Sequence, residues 1–351
     1  MSTPAVSVIM ATYNGAAFVA ETIESLLAQS FGDFELVVVD DCSTDDTRAV
    51  LARFADPRIR VIASEANQGP VHARNRAFAA ARGRYVAGLD QDDICLPERL
   101  ARQVAYLDAH PETVLVATRA RLLENGRTSH WAGPSDLDAA VIDWLMMVQN
   151  PLVWSTVMFR ADAARRLDPF ERPEIRYAED FDLYHRLRRF GTLARIEEPL
   201  LLYRCHPGGA SQKFRDAMGA SVAKVLAEHY APVFGAEAEV RAALVVRHLF
   251  ARAPIPHAEA LEALSGTMDR LHAHFLATRR PDAALRMRLE AEHARLWWLV
   301  ARPAIRLGAV RLGDARAARP RCVSGVAPDW VASPLIGGLR AIGRTLTVLP
   351  R

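Results

Sequence analysis

Glu35-Leu36-Val37-Val38-Val39-Asp40-Asp41 decides how the chain is read. Leu36 to Val39 is an uninterrupted apolar, largely β-branched run, the pattern of a strand buried on both faces, and it ends on two acids. Upstream, Val6 to Met10 is a second apolar run, closed by the turn residues Tyr13-Asn14-Gly15. Phe18, Thr22, Ile23, Leu26 and Leu27 then share one helical face. Downstream, Ser43 or Thr44 is the expected N-cap of a helix through Leu51. Arg60 to Ile62 reads as a third strand, Pro70 to Ala81 as a helix, and Tyr85 to Leu89 as a fourth strand. This alternation predicts an α/β fold with a mostly parallel central sheet and helices on both faces. Ligands of such sheets sit beyond the carboxyl ends of the strands. Three of those exits carry useful polar groups: Thr12-Tyr13-Asn14, Asp40-Asp41 and Asp90-Gln91-Asp92-Asp93.

Beyond Pro97 the alternation loosens. A helix to about Ala109 leads into Val114-Leu115-Val116, a polar loop over 124–135 and a helix near 137–148. A strand at 155–159 and a helix at about 179–190 follow. After His206 the chain reads as helical and Arg-rich to its end, and no internal repeat is visible.

The formal net charge of +3 is too small to point to nucleic acid. Cys42, Cys95, Cys205 and Cys322 show no metal-finger spacing and are read as reduced thiols of a cytoplasmic protein. The first residues lack the pattern of a signal peptide, and no apolar run approaches the ~18 residues of a spanning helix.

Asp90, Asp92 and Asp93 repel one another unless a cation or water screens them. Oxygen-rich ligation favours a hard divalent ion, Mg²⁺ or Mn²⁺, although an acidic loop leading into a helix has the same look. Asp40-Asp41 at a strand end suits a ribose or base, and equally an Asx turn or helix cap. Glu179-Asp180 opens a helix, where acids gain from the macrodipole; one of them could also act as a general base.

Taken in order, these segments resemble the family 2 glycosyltransferases. The resemblance runs from about residue 4 to 215 and rests on several motifs. They are Val6 to Asn14, Val37 to Asp45, Asn67-Gln68-Gly69, Ala73-Arg74-Asn75, Gly83-Arg84-Tyr85, Leu89 to Asp93, Pro97 to Leu100, Glu179 to Leu183 and Leu202 to His206. It implies the GT-A nucleotide-diphospho-sugar transferase fold over 1–215, with a nucleotide-binding half at about 1–95 and an acceptor half at 96–215. Residues 216–351 would form an α-helical C-terminal extension. Carried over by position, Thr12, Tyr13 and Asn14 form the floor under the base, and Asp40 or Asp41 holds base or ribose. Arg74 would lie near the phosphates. Asp90 and Asp92 match the D-x-D of donor and metal binding, with His206 reaching the metal or diphosphate. Asp180 matches the acid that deprotonates the acceptor, with Glu179 as its substitute.

The implied activity is inverting transfer from a nucleotide-diphosphate donor, a UDP-sugar in the first instance, to a hydroxyl of a glycan or lipid-linked acceptor. The alternative is an inactive member that binds nucleotide-sugar or a partner. Two departures stand out. Ala11 precedes Thr12 where many relatives have proline, and Gln91 replaces a small residue, its side chain reaching the donor or facing solvent. The stretch 295–351 holds ten Arg against Asp314 and Asp329, with Trp297 and Trp298 among them. It reads either as a peripheral contact with the inner face of a membrane or as an amphipathic bundle kinked at Pro303. A dinucleotide-binding dehydrogenase is excluded by its glycines: Thr12 to Ala17 contains one, not the three of G-x-G-x-x-G. A sugar nucleotidyltransferase would want a Gly-rich, basic loop at the same turn, and none is present.

Overall fold

The computed structural model describes residues 3–131, 134, 136–209 and 213–322. They form two compact units, one of residues up to 142 with 150–218, the other of 143–149 with the chain from 219.

In the first unit β1 (Val6–Thr12), α1 (Val19–Leu27), β2 (Phe34–Asp40), α2 (Thr47–Leu51), β3 (Ile59–Ala63), α3 (Pro70–Ala80) and β4 (Tyr85–Gly88) follow the expected alternation. β5 (Ile94–Cys95), α4 (Arg99–Ala109), β6 (Thr113–Glu124), β7 (Arg127–His130), α5 (Ala139–Leu145), β8 (Met158–Arg160), α6 (Ala161–Ala164), α7 (Glu179–Leu187) and β9 (Thr192–Arg204) come next. The strand order is β3-β2-β1-β4-β8-β6-β9-β5, with β7 beside β6. β3, β2, β1 and β4 are mutually parallel, whereas β8 runs antiparallel to both β4 and β6. The parallel half is therefore the half that the continuous apolar runs mark. Leu36 to Val39 are wholly buried, as are Val8 to Met10.

Register then places the chemistry. Thr12 pairs with Asp40, so β1 and β2 end level, and their polar exits share one rim. Gly88 closes β4 under Trp154; a Cβ there would stand 2.6 Å from the indole. Where parallel pairing gives way to antiparallel, buried Arg99 bonds the carbonyls of Gly88 and Val157, and buried Gln103 those of Val116 and Thr156. These two side chains tie the strands together where the direction changes, with the Val157 carbonyl also accepting the Gly88 N–H at 3.1 Å.

Several segments differ from the sequence reading. The strand expected at 155–159 begins as a 3-10 turn, Trp154–Thr156, and only Met158–Arg160 is strand. The polar loop at 124–135 begins as a hairpin, β6–β7, turned by Asn125 (φ 49°) and Gly126 (φ 75°), as a type I′ turn requires. β9 was not anticipated, because Glu197-Glu198-Pro199 breaks the apolar alternation. Pro199 is accommodated where β9 pairs with β6 through a register shift.

The second unit is helical: α8 (Arg215–Phe234), α9 (Ala238–Val245), α10 (Ala258–Arg279), α11 (Ala283–Arg306) and α12 (Leu312–Ala317). Its core holds Trp144, Leu226, Tyr230, Leu264, Met268, Leu271 and Trp297. Asp282 caps α11, accepting the Leu285 N–H at 2.8 Å. Pro303 does not end α11, which continues to Arg306. Trp297 is buried and its indole N–H donates to Ser265 Oγ at 2.8 Å. Of the segment 295–351, residues 323–351 lie outside those described. Among the described residues no helix is long and apolar enough to cross a membrane.

Candidate active site

The rim of the parallel half is a closed hydrogen-bonded frame. Thr12 Oγ1 donates to Gln91 Oε1 at 2.6 Å, Tyr13 N–H donates to the same oxygen at 3.0 Å, and Gln91 Nε2 returns to the Tyr13 carbonyl at 3.3 Å. Gln91 therefore neither faces solvent nor reaches outward; it clamps the Thr12-Tyr13 turn. A Cβ at Gly15 would lie 2.2 Å from Gln91 Oε1, so any side chain there would push the Gln91 clamp aside. Asn14 adopts φ 48°, donates its N–H to Ser43 Oγ at 2.9 Å and accepts the Thr44 N–H at 2.8 Å. Ser43 and Thr44 thus tie the two loops together, and neither caps α2. It is Asp45 that accepts the Thr47 N–H, at 3.0 Å. The Tyr13 ring is left 45 % exposed above this frame.

Asp40 and Asp41 are both buried. Asp40 accepts from Arg48 Nε at 2.6 Å and from Ser43 N at 3.2 Å, which makes it a buttress of the loop. Asp41 accepts the N–H groups of Gln68 and Gly69, the latter at 2.7 Å, and so pins the head of α3. The Gln68 N–H reaches both oxygens, at 3.0 and 3.2 Å, so three of about four lone-pair sites are engaged and Asp41 keeps capacity for one more donor.

α3 carries Arg74 from that point into a second, very different cluster. The buried guanidinium is committed to Glu179 at 2.9 Å and Glu171 at 3.3 Å, and lies 5.0 Å from the Trp154 ring. It is a buried anchor of two acids, not a solvent-facing cation. Burial alone would lower its pKa, but Glu171 and Glu179, then Asp90 and Asp180, raise it. Asn75 brackets Glu171 by its backbone, donating to the carbonyl at 2.8 Å and accepting the N–H at 2.7 Å.

Asp180, partly accessible at the start of α7, accepts from Asn150 Nδ2 at 2.9 Å and from the Phe181 N–H at 2.7 Å. Burial, then the charge of Glu179, pushes its carboxyl up to about 7, against the opposing pull of Arg74. Burial raises Glu171 to about 8 and Asp90 to about 6; Asp92 and Glu179 add to the latter. Asp182, by contrast, is held by Arg172 and Arg186 and serves the loop. Glu171, Asn150, Trp154 and Tyr184 were not found from sequence; none lies in a recognisable motif, and Glu171 meets Arg74 across 97 residues.

The third group joins Asp92 and His206, whose Oδ2 and Nε2 stand 2.9 Å apart. The His206 ring rests 4.7 Å from Phe18. Arg204 fixes the loop beneath, donating Nε to the Asp92 carbonyl at 2.8 Å and its backbone N–H to Asp93 Oδ1 at 2.9 Å. Asp93 is almost wholly enclosed, and burial, then Asp92 and Asp90, holds its carboxyl well above the ordinary range. Among the described residues no three His, Cys, Asp or Glu side chains are disposed to hold one ion. Asp92 and Glu179 nevertheless both act on Asp90, and Asp90 and Glu179 on Asp180, so Asp90 links the second and third groups in one acidic field.

Residues 7–167 match the sequence model of glycosyl transferase family 2. A putative glycosyltransferase of Bacillus subtilis, EpsE, is 34% identical over 189 residues, 53% of this chain and 67% of that protein. The chain belongs to glycosyl transferase family 2. The chain is also 42% identical over 159 residues to the succinoglycan biosynthesis protein ExoO of Rhizobium meliloti, covering 45% of this chain and 44% of ExoO. It therefore spans less than half the length of that relative. The fold is similar to that of S. aureus TarS residues 1–349, solved in complex with UDP-GlcNAc: TM-score 0.57 at 20% identity, over 96% of this chain and 92% of that one. The mannosyltransferase PcManGT of Pyrobaculum calidifontis, solved with GDP-Man and Mn²⁺, gives 0.52 at 18% identity, over 99% and 81%.

Proposed function

We propose that the glycosyltransferase moves a sugar from a UDP-sugar to a hydroxyl of a glycan or lipid-linked acceptor, with inversion at the anomeric carbon. The observation that carries this reading is Asp180: a carboxylate held at both oxygens, in the same acidic field as the Asp92–His206 pair. Tyr13 lies over the base on the Thr12–Asn14 floor, and Asp41 offers its remaining lone pair to base or ribose. Asp40 and Arg74 act behind these residues, as buttress and anchor. The acceptor O–H gives its proton to Asp180 while its oxygen bonds the anomeric carbon. The bond from that carbon to the diphosphate oxygen breaks in the same displacement, and UDP leaves.

Asp92 and His206 fit a divalent cation, because an oxygen and an imidazole nitrogen stand close enough to share one ion and the donor phosphates can complete the set. Asp90 would be an outer member of that set. Mg²⁺ or Mn²⁺ bound there would neutralise charge gathering on the diphosphate. The Escherichia coli UDP-Glc:alpha-D-GlcNAc-diphosphoundecaprenol beta-1,3-glucosyltransferase WfgD is 39% identical over 102 residues, 29% of this chain and 40% of that protein, which supports a lipid-linked acceptor. Contact of the segment 295–351 with an anionic membrane surface draws support from the exposed Leu299 and Leu307, while Trp297 is committed to the core.

The test is UDP release from a panel of UDP- and dTDP-sugars with Mn²⁺ or Mg²⁺. One donor should be turned over, chelation should stop it, and the transferred sugar should carry the opposite anomeric configuration. Tight binding of a nucleotide-sugar with no turnover under any metal would favour an inactive binder.

A further inference from the structure

We propose that Asn150 is a positioning residue for the candidate base, its side-chain amide fixing Asp180 in the orientation that receives the acceptor proton. The inference rests on the reading of Asp180 given above. Asn150 is the residue at which the chain re-enters the first unit. Its Nδ2 donates to Asp180 Oδ2 at 2.9 Å, while its own Oδ1 accepts the Leu152 N–H at 3.1 Å. That second bond settles which end of the amide faces the acid. The other oxygen of Asp180 accepts the Phe181 N–H at 2.7 Å, so the carboxylate plane is defined from both sides.

The surroundings explain why a neutral amide is needed. Asp180 is faced by Glu179 and Tyr184 of α7, Asp90 beyond β4, Glu171, and Arg74 of α3. Arg74 is the cation of this group, and its ion pairs go to Glu171 and Glu179. Asn150 is thus the side chain that hydrogen-bonds Asp180 among the described residues, and it favours the ionised, proton-accepting form without adding a charge.

Asn150→Ala removes the donor, and Asn150→Asp keeps the shape while replacing the amide with a second acid. UDP release from the donor found in the panel, in Mn²⁺, should fall about tenfold or more at pH 7 in both variants. The acidic limb of the pH profile should move up by about one unit. UDP affinity should stay within about twofold. Carbon-13 carboxyl titration of Asp180, which needs no substrate, should show the same upward shift. An unmoved titration and pH profile, with any loss confined to melting temperature or donor KM, would overturn the role of Asn150 alone. Near-wild-type turnover by Asp180→Asn would overturn that role together with the base assignment.

Discussion

The frame at the rim of the parallel strands and the cluster around Arg74 are both polar and both built on strand exits, yet they are finished to different degrees. In the frame, Thr12 and Tyr13 bond Gln91, Asn14 bonds Ser43 and Thr44, Asp45 bonds Thr47, and Asp40 Oδ1 is the buried oxygen left without a partner among these described residues. In the cluster, Arg74 Nε, Glu171 Oε2, Glu179 Oε2, Trp154 Nε1 and Tyr184 Oη are all buried without one. Leaving such groups unpaired costs about 1–3 kcal/mol each, so the cluster bears a burden that the frame does not. A preformed frame suits the constant part of a donor; a cluster with unused donors and acceptors suits the groups that arrive with the reaction.

The contrast can be broken from its largest expected effect downward. Arg74→Ala leaves Glu171 and Glu179 without their cation and should lower unfolding stability by about 3–5 kcal/mol in a denaturant titration. A loss below about 1 kcal/mol would mean that the cluster is not held together by charge. Next comes pH. Asp180 must be ionised to accept a proton, and its carboxyl sits at about 7. Below that value the ionised fraction, and with it kcat/KM, should fall about tenfold per unit. A profile flat from pH 5 to 8 would contradict the assignment. Gln91→Ala strips hydrogen bonds from the Thr12-Tyr13 turn and should cost about 0.5–1.5 kcal/mol per bond, read as a raised donor KM with kcat little changed. Arg48→Ala should have the smallest effect, leaving the denaturant midpoint and the donor KM near their native values, because the guanidinium that pairs with Asp40 is half exposed.

How far this was legible in the sequence follows the same division. The parallel strands announce themselves because a doubly buried strand needs an unbroken apolar run, and Leu36 to Val39 supplies one. The acids that follow each strand were readable for the same reason: position after a buried strand fixes where a side chain emerges. β9 was illegible because its Glu197-Glu198-Pro199 imitates a loop, and only the register shift against β6 makes room for the proline. The β6–β7 hairpin carried a strong signal in Asn125-Gly126 that its polar flanks concealed. Glu171 and Asn150 carried no signal at all. Their roles arise from pairings with Arg74 and Asp180 that the chain makes across 97 and 30 residues. Arg74 was visible as a candidate, but in a chain rich in arginine its commitment to two buried acids was not.

The most direct measurement of the whole account is Asp180→Asn, assayed side by side for UDP binding in Mn²⁺ and for turnover of the donor the panel selects. The amide keeps the shape of the carboxylate but cannot take a proton. UDP affinity should stay within about twofold, and turnover should fall by about 10²- to 10⁴-fold. Turnover within a few-fold of the native chain, with affinity intact, would contradict the claim that this carboxylate receives the proton of the acceptor.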